Sequence, residues 1–395
     1  TIIILIEILA IVVPLLLAVA YLTYAERKVM AAMQMRRGPN VVGPWGLLQP
    51  IADGLKLFMK EDYIPHGADK VLFILAPGLT VLTALITFAI IPWAGTLHIG
   101  GQTVKIMAAD INIGVVYLIA VASLGVYGVA LGGWASNSKY SFIGGLRASA
   151  QMISYEIPMG LALLCVILTA GTVNAYDIVM SQTGTGHQWF ILQQPIAALL
   201  FYTCLLAEAN RSPFDLAEAE AELVGGWHTE YSSMKWAMFF LGEYVHMIVG
   251  GAFFTTLFLG GWSLNPLGIG PDLTAEGGLL LILIQFGIVL GKTFLVVCLT
   301  MMVRWTLPRF RFDQLMRLSW EGMIPAALLM LLVTSFWVFM GWTEFMWAGS
   351  LAAFAIIWIA HPLMPRQPSP NRRIPLIGSR FSPLTERDGA SASMD

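Results

Sequence analysis

The stretch GLLLILIQFGIVLGKTFLVVCLTMMV, residues 278–303, is predominantly apolar and carries a single charge, Lys292. A helix of about 20 apolar residues crosses a bilayer core about 30 Å thick, so this segment reads as a membrane span. Working outward from it, eight further runs of the same kind lie at 2–24, 71–93, 112–134, 151–173, 190–209, 235–262, 322–341 and 343–361. The whole chain agrees. Of 395 residues, 57% are hydrophobic and 12% charged, with a mean hydropathy of +0.74, whereas soluble domains average roughly 25% charged residues. The expected fold is an all-α polytopic membrane protein with about nine transmembrane helices, which excludes a water-soluble globular enzyme. The first run lacks a basic n-region and is read as a true span rather than a signal peptide.

The formal charge of -2 balances 22 basic against 24 acidic side chains, so a basic nucleic-acid-binding surface is excluded. Cys165, Cys204 and Cys298 stand far apart, without the paired spacing of zinc or iron–sulfur ligands. No thiolate-held metal or cluster is expected on this chain.

Orientation follows from Lys and Arg, which collect in cytoplasmic loops. The loop 25–70 holds Arg27, Lys28, Arg36, Arg37, Lys56, Lys60 and Lys70; later loops on that side hold Lys139 and Arg147, then Arg211 and Lys235, then Arg304, Arg309, Arg311 and Arg317. Five more basic residues lie beyond 365, whereas the opposite side has Lys105 alone. An amino end outside and a carboxyl end in the cytoplasm are expected, as an odd number of spans also requires. The integral membrane domain is expected over 1–364. The tail 365–395, with RQPSPNRR and ERDGASASMD, has the composition of a disordered cytoplasmic segment.

Three structured cytoplasmic loops are expected, at 25–70, 207–234 and 304–321. In YAERKVMAAMQMRRGPNVVGPWGLLQPIADGLKLFMKEDYIP (24–65), Leu47, Leu48, Ile51, Leu55, Phe58 and Met59 recur at helical spacing, and Gln49, Asp53, Lys56 and Lys60 line another face. That pattern predicts an amphipathic helix at the membrane surface, and Glu26, Arg27, Arg36, Arg37, Asp53 and Glu61 give the loop too many charges for a simple anchor. In AEANRSPFDLAEAEAELVGGWHTEYSS (207–233), Ser212, Pro213 and Asp215 read as a helix start. The helix dipole accounts for acids in a first turn, but Glu220, Glu222 and Glu230 lie beyond it. Together with Asp215 and Glu218 they suggest a proton-binding cluster. The third loop, RWTLPRFRFDQLMRLSWEGMIP (304–325), is basic and aromatic, a composition that suits a landing surface for another subunit.

Ionisable residues inside spans cost several kcal/mol and usually face a polar interior. Glu156, Glu208, Glu243 and Lys292 qualify, while Glu7 is read as exposed near an outer end. His246 follows Glu243 by three residues and so shares its helical face. No nucleophile with its base, phosphate loop or redox-cofactor motif is visible, and GGLRASAQ with the LGG and GG pairs fits close helix packing through small residues. At this level a transporter, a channel and a proton-coupled quinone subunit all stay open.

The segments AERKVMAAMQMRRGPNVVGPWGLLQPIADGLKLFMKE, SYEIPMGLAL, NRSPFDLAEAEAELVGGWHTEYS and WTLPRFRFDQLM, in this order along the chain, resemble the quinone-chamber membrane subunits of respiratory complex I, the proton-translocating NADH:quinone oxidoreductase. The resemblance implies a subunit of that enzyme in an energy-transducing membrane such as the bacterial plasma membrane. Its partners would be the hydrophilic redox arm at the cytoplasmic loops, neighbouring small membrane subunits, the lipid bilayer and a quinone substrate, with no nucleic acid. FMN and the iron–sulfur clusters would sit on partner subunits only. A quinone site of Glu26, Arg27, Arg36, Asp53, Arg211, Phe214 and Asp215 is implied, with the isoprenoid tail passing between the first span, the amphipathic helix and the sixth span. A proton pathway of Glu156, Glu208, Asp215, Glu218, Glu220, Glu222, Glu230 and Glu243 is implied as well. Ala209 stands where the family often has Thr, and Glu321 where Lys is frequent, which weakens the expected arm contact at Glu321. The rival readings are the related membrane subunit of an energy-converting hydrogenase, which needs no quinone, and a stand-alone ion-coupled transporter.

Overall fold

The first apolar run does not stop at 24: helix α1 covers Ile2–Met33, because AERKVMAAM contains strong helix formers and neither Gly nor Pro. Glu26 and Arg27, expected in a loop, therefore ride on the last turns of a helix. The structure is a computed structural model that describes residues 2–99, 102–217, 223–269, 272–273 and 276–360. Glu218, Glu220, Glu222 and the tail 365–395 lie outside the described residues, as does the side chain of Glu7. The chain divides into units 1–354 and 355–395.

A short 3-10 turn at Pro44–Gly46 leads into the expected amphipathic helix, α2 (Gln49–Met59), with Ile51, Leu55, Phe58 and Met59 exposed along it. Helix α3 (Lys70–Phe88) follows, then α4 (Gly114–Ser123) and α5 (Gly125–Ala135), which share the run 112–134 and break at Leu124. Helix α6 (Lys139–Ala170) starts a dozen residues before the apolar run it contains, so GGLRASAQ is helical. Two short helices, α7 (Ala175–Met180) and α8 (Phe190–Gln193), precede α9 (Pro195–Glu208), α10 (Ser233–Phe258) and α11 (Leu279–Thr306). Beyond them, α12 (Phe312–Arg317), a π-helical turn at Leu318–Met323 and α13 (Ile324–Phe339) form one stretch, and α14 covers Met346–Ala360.

Among the described residues, six stretches are long and apolar enough to cross a membrane, namely 70–88, 114–135, 139–170, 233–258, 279–306 and 312–339. Helix α9 has 14 residues and so reaches only about 21 Å. A three-stranded sheet was not expected from the sequence. Strand β1 (Thr96–Ile99) pairs antiparallel with β2 (Gln102–Lys105) and parallel with β3 (Glu276–Gly277). The buried Gln285 of α11 accepts the Gly95 N–H at 2.9 Å, anchoring β1 to that helix.

Small residues set the helix spacing, as the sequence suggests. A Cβ on Gly133 of α5 would fall 2.7 Å from the Ser141 carbonyl oxygen and 3.1 Å from Gly145 Cα on α6, and one on Gly144 would meet the Gly226–Trp227 backbone at 2.7 Å. The second contact seats the Gly226–Trp227 turn directly on α6. The polar loops also bind one another. Ser232 and Ser233 hydroxyls donate to the Glu61 and Leu57 carbonyls, both at 3.0 Å, Lys235 Nζ lies 2.8 Å from Asp62, and the Phe310 N–H donates to the Pro213 carbonyl at 3.1 Å. The three chemically rich loops thus form one surface at one end of the helices.

Candidate functional site

Glu26 is buried and accepts hydrogen bonds from the Tyr244 hydroxyl and the Arg304 guanidinium, so α1, α10 and α11 meet at one carboxylate. Arg27 is the next residue, about 100° further round the helix, and it turns instead to α2. There its Nη1 lies 2.7 Å from Asp53 Oδ2, while Asp53 Oδ1 accepts from Gln49 Nε2 at 3.0 Å, one turn earlier. Two adjacent residues thereby face two different partners because helical geometry separates them.

Arg211 leaves the end of α9 as a buried cation. Its guanidinium sits 4.4 Å from the centroid of the Tyr244 ring and 3.6 Å from Glu243 Oε2. Removing one partner from a buried pair of this kind typically costs about 3–5 kcal/mol.

The expected helix start at Ser212 does not form, and residues 211–217 are non-helical. Carbonyls that a helix would pair internally are taken by other elements: the Pro213 carbonyl by the Phe310 N–H, and the Phe214 carbonyl by Gln151 Nε2 at 2.8 Å. In consequence the Phe214 side chain is buried, with ring centroids of Tyr155 and Phe310 at 5.3 and 5.8 Å, and it belongs to the core. Asp215 Oδ2 lies 3.1 Å from Arg309 Nη2. Burial pushes the Asp215 carboxyl above the usual aspartate value, against the opposing pull of Arg309, Arg304 and Arg211.

Two small cavities, each about 30 Å³, share Glu208, Ala209 and His246 in their linings. Glu243 and Thr80 line one of them, whereas Thr87, Met159 and Phe253 line the other. A cavity of this size has room for a water molecule when polar groups line it. Glu208 also lies within electrostatic reach of Glu156, which is half-buried on α6 beside the Ser123 hydroxyl. The acids Asp215, Glu243, Glu208 and Glu156 therefore follow one another, with Arg211 between the first two.

Other expected members lie apart. Arg36 is exposed and bonds Gln34 at 2.7 Å, because α1 has ended at Met33 and Met35 takes a φ of 53° that turns the chain away. Glu230 makes no hydrogen bond or ion pair among the described residues. Lys292 is separate from the acids and caps the end of α10: Nζ donates to the Leu259, Gly261 and Ser263 carbonyls at 2.6, 2.8 and 2.5 Å, over the Trp189 ring at 4.0 Å. The sequence reading missed Tyr244, Arg304, Arg309 and Gln151 as site residues. A tyrosine beside Glu243 in an apolar run, and an arginine in the last turn of a span, were the available signals.

Residues 6–335 match the model of the NADH dehydrogenase family. The chain belongs to that family. It is 52% identical to the NADH-quinone oxidoreductase H-type subunit of Paramagnetospirillum magneticum, over 84% of this chain and 91% of the relative. It is also 52% identical to the H-type subunit of Rhodospirillum rubrum, over 85% and 93%, and 49% identical to an H-type subunit of Cytophaga hutchinsonii, over 80% and 90%. The chain is thus a membrane subunit of complex I, and other subunits of that NADH-quinone oxidoreductase are its partners.

Proposed function

We propose that Glu26, Arg27, Asp53 and Arg211 line a chamber for a quinone headgroup, and that Asp215, Glu243, Glu208 and Glu156 link its reduction to proton translocation. The observation that supports this best is the pair of adjacent residues at the end of α1. Arg27 holds the amphipathic helix α2 through Asp53, and Glu26 faces the Tyr244 hydroxyl of α10 and the Arg304 guanidinium of α11. The electrons come from FMN and iron–sulfur clusters on partner subunits, docked where the three polar loops meet. Residues Glu218, Glu220, Glu222 and Glu230 extend the proton-binding group on the same loop.

Quinone reduction takes up two electrons and two protons. Negative charge arriving on the headgroup raises the proton affinity of nearby carboxylates by Coulomb interaction, which is strong where solvent is scarce. A chain of half-buried acids with small cavities between them can pass that change onward. The amino end lies outside and the carboxyl end in the cytoplasm of an energy-transducing membrane, in keeping with the clustering of Lys and Arg in the loops that pack together.

The test uses the intact complex. Asp53→Asn and Arg27→Ala should slow NADH-driven quinone reduction while NADH–ferricyanide electron transfer stays intact, and Glu208→Gln or Glu156→Gln should lower proton translocation in proteoliposomes. Wild-type quinone turnover and pumping in all four variants would refute the reading.

A further inference from the structure

Tyr244 is buried at the joint of α1, α10 and α11, and no expectation drawn from the sequence gave it a role. Its phenol presents two chemically different ends. The hydroxyl donates to the Glu26 carboxylate, which Arg304 holds from another side. The ring face lies under the Arg211 guanidinium at 4.4 Å, and that guanidinium is 3.6 Å from Glu243, the residue preceding Tyr244. Phe240, one turn earlier on α10, packs against the ring at 4.6 Å and fixes its tilt.

An aromatic face attracts a cation, and does so more strongly when both are desolvated. A hydroxyl in the ring plane selects an acceptor. Phenylalanine would serve Arg211 and leave Glu26 without this donor, whereas an aliphatic residue would serve neither. We infer that Tyr244 is the positioning residue that ties the quinone-side carboxylate Glu26 to the Arg211–Glu243 pair, so that a change at one is felt at the other. The inference rests on the quinone and acid-path reading above. When Glu26 changes charge, its hold on the hydroxyl changes; the rigid ring then carries that change to the guanidinium and so to the first acid on α10.

The experiment uses the whole complex, with NADH–ferricyanide activity as the measure of assembly. Tyr244→Phe should lower kcat/KM for a short-chain quinone by roughly tenfold, the scale expected for losing a hydrogen bond to a charged group, and should lower the proton-to-electron ratio, because the ring without its hydroxyl no longer senses Glu26. Tyr244→Leu, which also strips the ring from Arg211, should lower that ratio as well. Because Tyr244 acts through Glu26, Glu26→Gln/Tyr244→Phe should lose no more kcat/KM than the worse single variant. Multiplying losses in the double variant, or an unaffected Tyr244→Phe beside an impaired Glu26→Gln, would overturn the inference and leave the quinone reading standing. Wild-type behaviour of both Glu26→Gln and Glu243→Gln would overturn both. Should Tyr244→Phe alone not assemble, the double variant is expected to, since the acceptor's charge is gone; its failure would also overturn the inference.

Discussion

Nε2 of Gln151 donates to the carbonyl of Phe214 at 2.8 Å, across 63 residues of sequence, and the same nitrogen reaches the Ala207 carbonyl at 3.0 Å. Helix α6 thus holds both ends of the turn that carries Arg211. Gln151→Leu would take this donor from the Phe214 carbonyl, at about 1–3 kcal/mol, and leave the Ala207 carbonyl with the Asn210 N–H at 3.3 Å. The complex should then lose quinone reductase activity at a lower temperature than wild type. Gln151→Glu should not rescue it, because a carboxylate has no N–H to offer. Equal heat resistance of both variants and wild type would remove this turn from the groups that hold the site.

The Arg27–Asp53 pair is partly solvated, so its net contribution to stability should stay below about 1 kcal/mol. Its value lies in where it holds α2. The charge-reversed double variant Arg27→Asp/Asp53→Arg should therefore recover more quinone turnover than either single reversal. A double variant no better than the worse single one would show that the individual charges matter and the pairing does not.

Burial lowers the His228 imidazole from its ordinary value of 6.5 to about 4. The neutral ring is the form that the folded loop accepts. Its contribution is present above about pH 6.5 and is lost as the pH falls towards about 4. Hydrogen exchange of the segment 223–233, corrected for intrinsic rates, should show growing local opening over that window, and His228→Asn should flatten the dependence. A slope unchanged in the variant would assign the effect to another group.

Six of the nine apolar runs coincide with stretches long and apolar enough to cross a membrane among the described residues, because bilayer thickness imposes a length that composition reveals directly. The amphipathic face of α2 was legible from the helical spacing of its apolar residues, and Arg27 and Asp53, named together from the sequence, form an ion pair. Pairings between distant elements were not legible. Arg304 and Arg309 looked like ordinary cytoplasmic-loop cations, and only the fold brings them to Glu26 and Asp215. The helix start at Ser212 was misjudged because local capping signals were outweighed by partners from α6 and the 304–325 loop, which no local pattern encodes. Arg36 was placed in the chamber by resemblance, yet the end of α1 at Met33 leaves it exposed.

Lys292 meets three carbonyls at the end of α10, groups that no later residue of that helix can bond. Lys292→Met would leave them without this donor, and Lys292→Arg would present a planar fork where three separate acceptors converge. Both variants should reduce the amount of assembled complex, measured on native gels. Normal assembly of the methionine variant would mean that water serves those carbonyls equally well.

The same lysine bears on how the chain is made. Residues 259–263 leave the ribosome before Lys292 does, so its acceptors already exist when α11 reaches the membrane. A lone lysine at the centre of an apolar helix costs about 2.5–3.5 kcal/mol on insertion, and α11 inserted after deletion of 233–263 should enter a translocon less efficiently than it does behind α10. Helices α10 and α11 thus suit release into the lipid as a hairpin, with the earlier helix acting as the later one's solvent.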